Sequence, residues 1–367
     1  MVHKASAIWK DGWLGHSETF IRDQMNALED WDFLKLGFDR GDNPLVEPDY
    51  APYKRDVFSK GIRVIAGTSI FEGQYLKRIR ESGVSAIHAH FLSGGMHAVQ
   101  LAKKSDLPLI TTLHNPRFTP KKGQFPSTGK MIYARRFQQL LEIGDRFLAV
   151  SNHVADSAVN AGIPSNRIEV LHIGTHIVPL HESSNPQGII FVGRLIQQKG
   201  VSDLLEAVSI LPAPLRQVPV TIIGDGPLRQ ALQEKAHDLR VNARFLGWVS
   251  SAEIPQRLAD AQVFCGPSKA SSAGMREGFG MVFLEAALQQ LPCVAYASGG
   301  VRDAVSDGEN GILVAEGDIR ALSGAIAHLL QDSGMRGEMG KRGRERVQSS
   351  FDIQTQSKRL EEIYINR

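Results

Sequence analysis

Four charged residues define the chemistry to look for: Arg194 and Lys199 in FVGRLIQQKG, and Glu277 and Glu285 in REGFGMVFLEAALQQLP. The first stretch ends an apolar strand in a glycine turn and puts two cations near the loop that leads into a helix. Such a pair suits a diphosphate. The guanidinium grips oxygens bidentately, the ammonium adds a mobile charge, and together they stabilise phosphate negative charge as it leaves. In the second stretch glycines let backbone approach a ligand, and the free amides of Gly280, Met281 and Val282 at a helix start bind phosphate oxygens. Glu285, one turn inside, accepts hydrogen bonds from ribose hydroxyls, and Glu277, before the turn, meets a sugar. Taken singly each residue has an ordinary reading as a strand-end cation, a helix-start acid or a solvated mid-helix acid. The spacing of the set favours a ligand.

Other signals are weaker. His88 and His90 in AIHAHF share one face of a strand, as zinc ligands can, but no third ligand is placed, and His90 is read as lining a cleft. GDG at 224–226 lacks the third glycine of a dinucleotide fingerprint, and GQFPSTGKM has the wrong spacing for a phosphate loop. Trp13 and Trp248 sit in glycine-containing loops, where each either stacks on a ligand, an acceptor sugar or a base respectively, or packs between domains.

The elements that must hold these residues alternate between short apolar runs and helix-period segments from His3 onward, the βαβ rhythm of a parallel sheet flanked by helices. The rhythm breaks at HIVPLHESSNPQ and restarts with GIIFVGR. We therefore expect an α/β protein of two doubly wound domains facing a cleft, 1–174 and 188–350, joined by a linker at 175–187. A last helix at 351–367, with Ile353, Leu360, Ile363 and Tyr364 on one face, is expected to pack back on the first domain. Ligands are expected at the carboxyl ends of the strands.

At 367 residues the chain is long enough for two cored domains. Two cysteines, Cys265 and Cys293, both in apolar runs, exclude a disulfide framework and a four-cysteine zinc site and point to a reduced cytoplasmic setting. Net charge is +3, unevenly spread: residues 1–170 hold 22 Lys and Arg against 18 Asp and Glu, giving +4 there and −1 beyond. That is too mild for a nucleic-acid binder. The stretch 117–136, with six basic residues, no acidic one and interleaved apolar side chains, suits either a solvated mobile loop or a peripheral contact with anionic lipid on the inner face of a membrane.

VGRL…KG, IIGDGPLRQAL, FLGWV, PSKASSAGMRE, EGFGMVFLEA and GGVRDAVSDGENGILV together resemble the retaining glycosyltransferases of family four, with GT-B architecture. SETFIRDQMNAL and HAHF are similar to their exopolysaccharide or colanic-acid branch. The resemblance implies that Arg194 and Lys199 hold the donor diphosphate, that Glu285 holds the ribose, and that Glu277 contacts the donor sugar. It also puts His114 beside that sugar, Gly224 at the nucleotide, and the loop ending at Gly15 near phosphates or acceptor. The implied enzyme is a hexosyltransferase with no metal and no cofactor. Its donor is a nucleotide sugar, UDP-linked first and GDP-mannose second, and its acceptor a hydroxyl of a glycan or a polyprenyl-diphosphate-linked precursor. An epimerase or phosphorylase on the same architecture, or a non-catalytic nucleotide-sugar-binding accessory protein, is the alternative. GWLGHSE departs from the family's early double glycine, and Asp303 replaces the commoner glutamate after GG.

Overall fold

The computed structural model describes residues 4–15, 18–42, 44–54, 67–118, 127–272 and 274–366. Residues 62–66, in the short apolar run IRVIAG, and 119–126 of the basic stretch lie outside the described residues. The chain divides into two compact units, Met1–Gly174 together with Ile353–Arg367, and Thr175–Asp352.

In the first unit β1 (Ala5–Trp9), β2 (Asp32–Leu36), β3 (Ile87–His90), β4 (Leu109–Leu113), β5 (Arg146–Ala149) and β6 (Ile168–Val170) form a sheet in the order β2-β1-β3-β4-β5-β6. All its pairings are parallel. Strands β1, β3 and β4 are buried throughout, as central strands of a parallel sheet covered on both faces are, with His88, His90, Thr111 and Thr112 among the buried residues. Between β1 and β3 the strand order reverses direction. Trp9 pairs with Ala89 there, so the loop beginning at Lys10 leaves the sheet beside His90.

The second unit repeats the plan with β7 (Ile189–Val192), β8 (Val220–Ile223), β9 (Ala243–Gly247), β10 (Val263–Gly266), β11 (Cys293–Tyr296) and β12 (Gly311–Val314), in the order β12-β11-β10-β7-β8-β9 and again parallel. Its core gathers Ile189 and Phe191 of β7, Ile222 of β8, and Leu204, Leu205 and Val208 of the helix Val201–Ser209. Here the order reverses between β7 and β10. Residues 176–188, rich in proline and serine, contain neither helix nor strand.

The last helix, Ile353–Ile365, returns to the first unit. Leu360, Ile363 and Tyr364 join Leu28, Trp31, Ile110 and Leu148 in one buried cluster. Burying such a side chain contributes roughly 1.5–3 kcal/mol. Glu361 on the same helix accepts from Lys4 at 2.6 Å and from the Trp31 indole at 3.1 Å. Among the described residues no helix is long and apolar enough to cross a membrane.

Candidate functional site

In the second unit the candidate residues lie in loops at the carboxyl ends of the strands, or on the helix that follows one of them, around the reversal where open α/β sheets hold ligands. The loop after β7 is stitched to the loop after β8. The amides of Gly193 and Leu195 donate to the carbonyls of Ile223 (3.0 Å) and Asp225 (2.9 Å), and that of Leu228 donates to the Leu195 carbonyl. Gly224 makes this approach possible: its φ is +124°, and a Cβ on it would stand 2.0 Å from the Gly193 carbonyl oxygen. Between these anchors the Arg194 side chain projects exposed, with no hydrogen-bond or ion-pair partner among the described residues.

Lys199 ends a single 3-10 turn, Gln197–Lys199, and pairs with the Glu277 carboxylate across 78 residues of sequence. The Ser268 hydroxyl donates to the same Glu277 oxygen at 3.4 Å. Glu277 itself is held by its backbone. The Gly300 amide donates to its carbonyl at 2.9 Å, and a Cβ on Gly300 would come within 2.0 Å of the Gly278 carbonyl oxygen. The double glycine of GGVRDAV is thus the bed on which the EGFG turn lies.

The helix Met281–Leu288 begins at Gly280, whose φ of +97° suits glycine, and no side chain caps it. Its first amides are left without acceptors inside the helix, so Gly280, Met281 and Val282 bring backbone donors and the positive end of the helix to one place. Glu285, one turn in, is half-buried and has no partner among the described residues. Burial pushes its carboxyl up from the usual carboxylate range. A solvated helix acid would be exposed and unshifted, so the ordinary reading of Glu285 does not fit.

Several supporting residues escape a sequence reading. Buried Asp203 accepts from Lys269 Nζ (2.5 Å) and from the Tyr296 hydroxyl (3.0 Å). Glu316 accepts from the Ala270 amide, Arg276 and Ser298. Burial raises the Glu316 carboxyl and these bonds outweigh it, leaving it below its ordinary value. The loop after β10 is therefore tied down at both ends by carboxylates distant in sequence.

The remaining candidates, Gly15 and His114, belong to the first unit. Gly15 exchanges hydrogen bonds with Glu18 (3.2 and 2.9 Å), and a Cβ on it would meet nothing within 4 Å. Glu18 also pairs with Lys10 at 3.2 Å, and the Lys10 ammonium lies 4.9 Å from the centre of the Phe91 ring. Phe91 has φ +67°, a backbone conformation that typically costs a non-glycine residue about 1–3 kcal/mol and tends to mark functional turns. His114 packs on the rings of Phe20 and Phe91 at 4.9 and 4.6 Å and bonds to His90 at 3.0 Å.

Two weak sequence signals take their ordinary structural readings. Trp13 stacks on no ligand: it is 2% exposed and its indole donates to the Leu36 carbonyl within the core, while Trp248 stays 75% exposed. His88 is no zinc ligand, because both its nitrogens are engaged at 2.6 Å, Nδ1 with the Tyr364 hydroxyl and Nε2 with that of Thr112. Burial lowers its pKa to about 3. Among the described residues no group of three or more His, Cys, Asp or Glu side chains is placed to hold a metal ion.

Comparison with known proteins matches residues 175–346 to the family model of glycosyl transferases group 1, and residues 40–177 to that of Glycosyltransferase Family 4. A relative from Mycolicibacterium smegmatis, described as a GDP-mannose-dependent alpha-(1-6)-phosphatidylinositol monomannoside mannosyltransferase, is 35% identical over 185 residues, 49% of this chain and 48% of its own. The putative colanic acid biosynthesis glycosyltransferase WcaL of Escherichia coli is 30% identical over 62% of this chain and 58% of its own. The chain thus spans about half the length of the first of these relatives. The Anabaena protein HepE, solved in complex with UDP, shares the fold at 18% identity, with a TM-score of 0.77 over 99% of this chain and 100% of its own. Residues 40–177 are thus similar to a Glycosyltransferase Family 4 domain and residues 175–346 to a glycosyl transferases group 1 domain, and the fold is the two-Rossmann GT-B architecture.

Proposed function

We propose that this protein transfers a sugar from a nucleoside diphosphate donor to a hydroxyl of a glycan or lipid-linked acceptor. The observation that carries the reading is the combination in the second unit of an uncapped helix start at Gly280 with Arg194 and the half-buried Glu285, both without a partner among the described residues, at the strand-order reversal. These groups are what a nucleoside diphosphate needs. Arg194, Lys199 and the amides of Gly280, Met281 and Val282 bind the diphosphate, Glu285 takes the ribose hydroxyls, and Gly224 lets the first loop close against the second.

As the bond from the anomeric carbon to phosphate breaks, charge grows on the leaving diphosphate, and Arg194 and Lys199 act on it where it develops. Glu277 holds the donor sugar. One of its oxygens already receives the Lys199 ammonium and the Ser268 hydroxyl, and the two donors lower the nucleophilicity of that oxygen. We therefore favour retention by attack on the same face, with the departing phosphate taking the acceptor proton, over a glycosyl-Glu277 intermediate. His114 and Gly15 serve the sugar and acceptor side. A peripheral contact of 117–136 with anionic lipid, supported by the 72% exposure of Met131, fits a lipid-linked acceptor.

UDP-sugars stand first and GDP-mannose second. HepE was solved with UDP, whereas the M. smegmatis relative is described as GDP-mannose-dependent. Calorimetric titration with UDP, GDP and ADP in the presence of a chelator tests the donor site, with Arg194→Ala as control. One nucleotide is expected to bind selectively, and the variant to lose it. Product analysis then separates transfer from the alternatives, since an epimerase needs no acceptor, a phosphorylase needs inorganic phosphate, and an accessory protein gives no product.

A further inference from the structure

Three histidines of the first unit, His88, His90 and His114, form a stack whose hydrogen bonds fix where the protons are. His88 and His90 have ring centres 4.5 Å apart, and His90 stacks on His114 at 5.2 Å with planes 23° from parallel. His88 has both nitrogens engaged. The bond between His90 Nδ1 and His114 Nε2, at 3.0 Å, leaves two nitrogens over. His114 Nδ1 is sealed from solvent without a partner, whereas His90 Nε2 is not among the sealed atoms and has no partner among the described residues.

One member of the pair must donate and the other accept. A proton on His114 Nδ1 would be a buried N–H with nothing to bond, which folded proteins almost never tolerate, whereas an unpaired acceptor is tolerated better. The proton of His114 therefore sits on Nε2 and is donated to His90 Nδ1. His90, kept neutral, then carries its own proton on Nε2. Neutrality has two causes. Burial lowers His114 to about 3 and His90 well below its ordinary value, with neighbouring His88 and Lys10 acting in the same direction. His90 also stands at the amino end of the helix Phe91–Ser105, whose dipole opposes a positive charge.

We propose that His90 presents Nε2–H as an uncharged hydrogen-bond donor to a sugar hydroxyl at the reversal of the first sheet, and that His114 is its positioning residue. The sugar as recipient rests on the glycosyltransferase reading; the two tautomers do not. Family resemblance puts His114 beside the sugar; here the hydrogen bond to the sugar comes from the neighbour that His114 orients. The strained turn at Phe91 keeps the arrangement in place by laying its ring against His114.

The test is imidazole nitrogen NMR on the full chain with labelled histidine at pH 7.5, signals being assigned by their loss in His90→Gln and His114→Gln. Both residues are expected as neutral Nε2–H tautomers. A His114 proton on Nδ1, or an imidazolium at either residue, overturns the proposal without touching the glycosyltransferase reading. Turnover of UDP-glucose and GDP-mannose supplies the second arm. Gln places an amide nitrogen near the Nε2 position and Asn only near Nδ1, so His90→Gln should keep kcat/KM within about threefold while His90→Asn loses about tenfold or more, the worth of one neutral hydrogen bond. Thermal melts of both variants show that they fold. Equal losses in the two make His90 a packing residue and overturn the donor role. If neither sugar nucleotide binds or turns over, the sugar part falls with the glycosyltransferase reading, and the tautomers alone decide the positioning part.

Discussion

Replacing Glu285 with Gln separates what this carboxylate does for the fold from what it does for a ligand, because the two effects have opposite signs. Burial raises its carboxyl above the ordinary value of 4.5, so the folded state holds the proton more tightly than the unfolded state does. Stability linked to this group is therefore lost as pH rises through and above the carboxylate range. Glu285→Gln abolishes that loss. The variant should be more stable than the parent at pH 7, and the difference should vanish below about pH 4.5, where Glu285 is protonated in both states. Binding should move the other way. A carboxylate that accepts from two ribose hydroxyls makes two charge-assisted bonds of about 1.5–3 kcal/mol each. Gln retains one acceptor oxygen, so the loss is about one bond, or about 10- to 150-fold in Kd for the nucleoside diphosphate. Calorimetric titration with ribo- and 2′-deoxyribonucleotides measures it: the deoxy compound, already lacking one hydroxyl, should lose less on mutation. Denaturant melts between pH 4 and 8 measure the stability arm. Unchanged nucleotide affinity with unchanged stability would return Glu285 to a solvated helix acid and remove the ribose assignment.

Arg194→Ala should weaken nucleoside diphosphate binding at least tenfold by calorimetry, on the scale of about 1.5–3 kcal/mol for a bond to a charged group, and leave the melting temperature unchanged because the side chain has no partner to lose. Lys199→Ala should weaken binding similarly but also lower stability, since it strips a Glu277 side chain that is only 20% exposed of its cation; equal melting temperatures for the two variants would contradict this. Gly300→Ala should lower both melting temperature and nucleotide affinity, because its Cβ would collide with the Gly278 carbonyl at 2.0 Å and displace the EGFG turn; a variant that binds normally would show the bed to be dispensable. Lowering the pH from about 6.5 towards 3 should destabilise the first unit, whose His88 and His114 are held neutral to about pH 3 and must charge on unfolding, and acid melts of His88→Gln should show a shallower loss.

How much of this was legible in the sequence depends on the range of the interaction. Alternating apolar and helical periods follow from local geometry, so two doubly wound units, the break near residue 175 and the apolar face of the last helix could all be read. The charged residues of the second unit could be read as candidates because ligand loops in such sheets follow strands and begin helices, which puts glycine and charge together in the chain. What no window shows is which groups end up alone. Arg194 and Glu285 look as ordinary as Arg229 and Glu206, yet Arg229 bonds Asp225 and Glu206 pairs with Lys235 while the first two have no partner among the described residues. Lys199 and Glu277 meet across 78 residues, and His90 and His114 across 24, through adjacency of strand ends that only the sheet order creates. Trp13 stays undecided in the sequence for the same reason. Its glycine neighbours suggest an open loop, but Gly37 and Gly41 come from a different part of the chain and close around it, each so near that a Cβ would touch Trp13. Residue type and spacing therefore nominate a site. The pairing of strands then decides which of the nominated groups are used up by the protein itself and which are left for something else to bind.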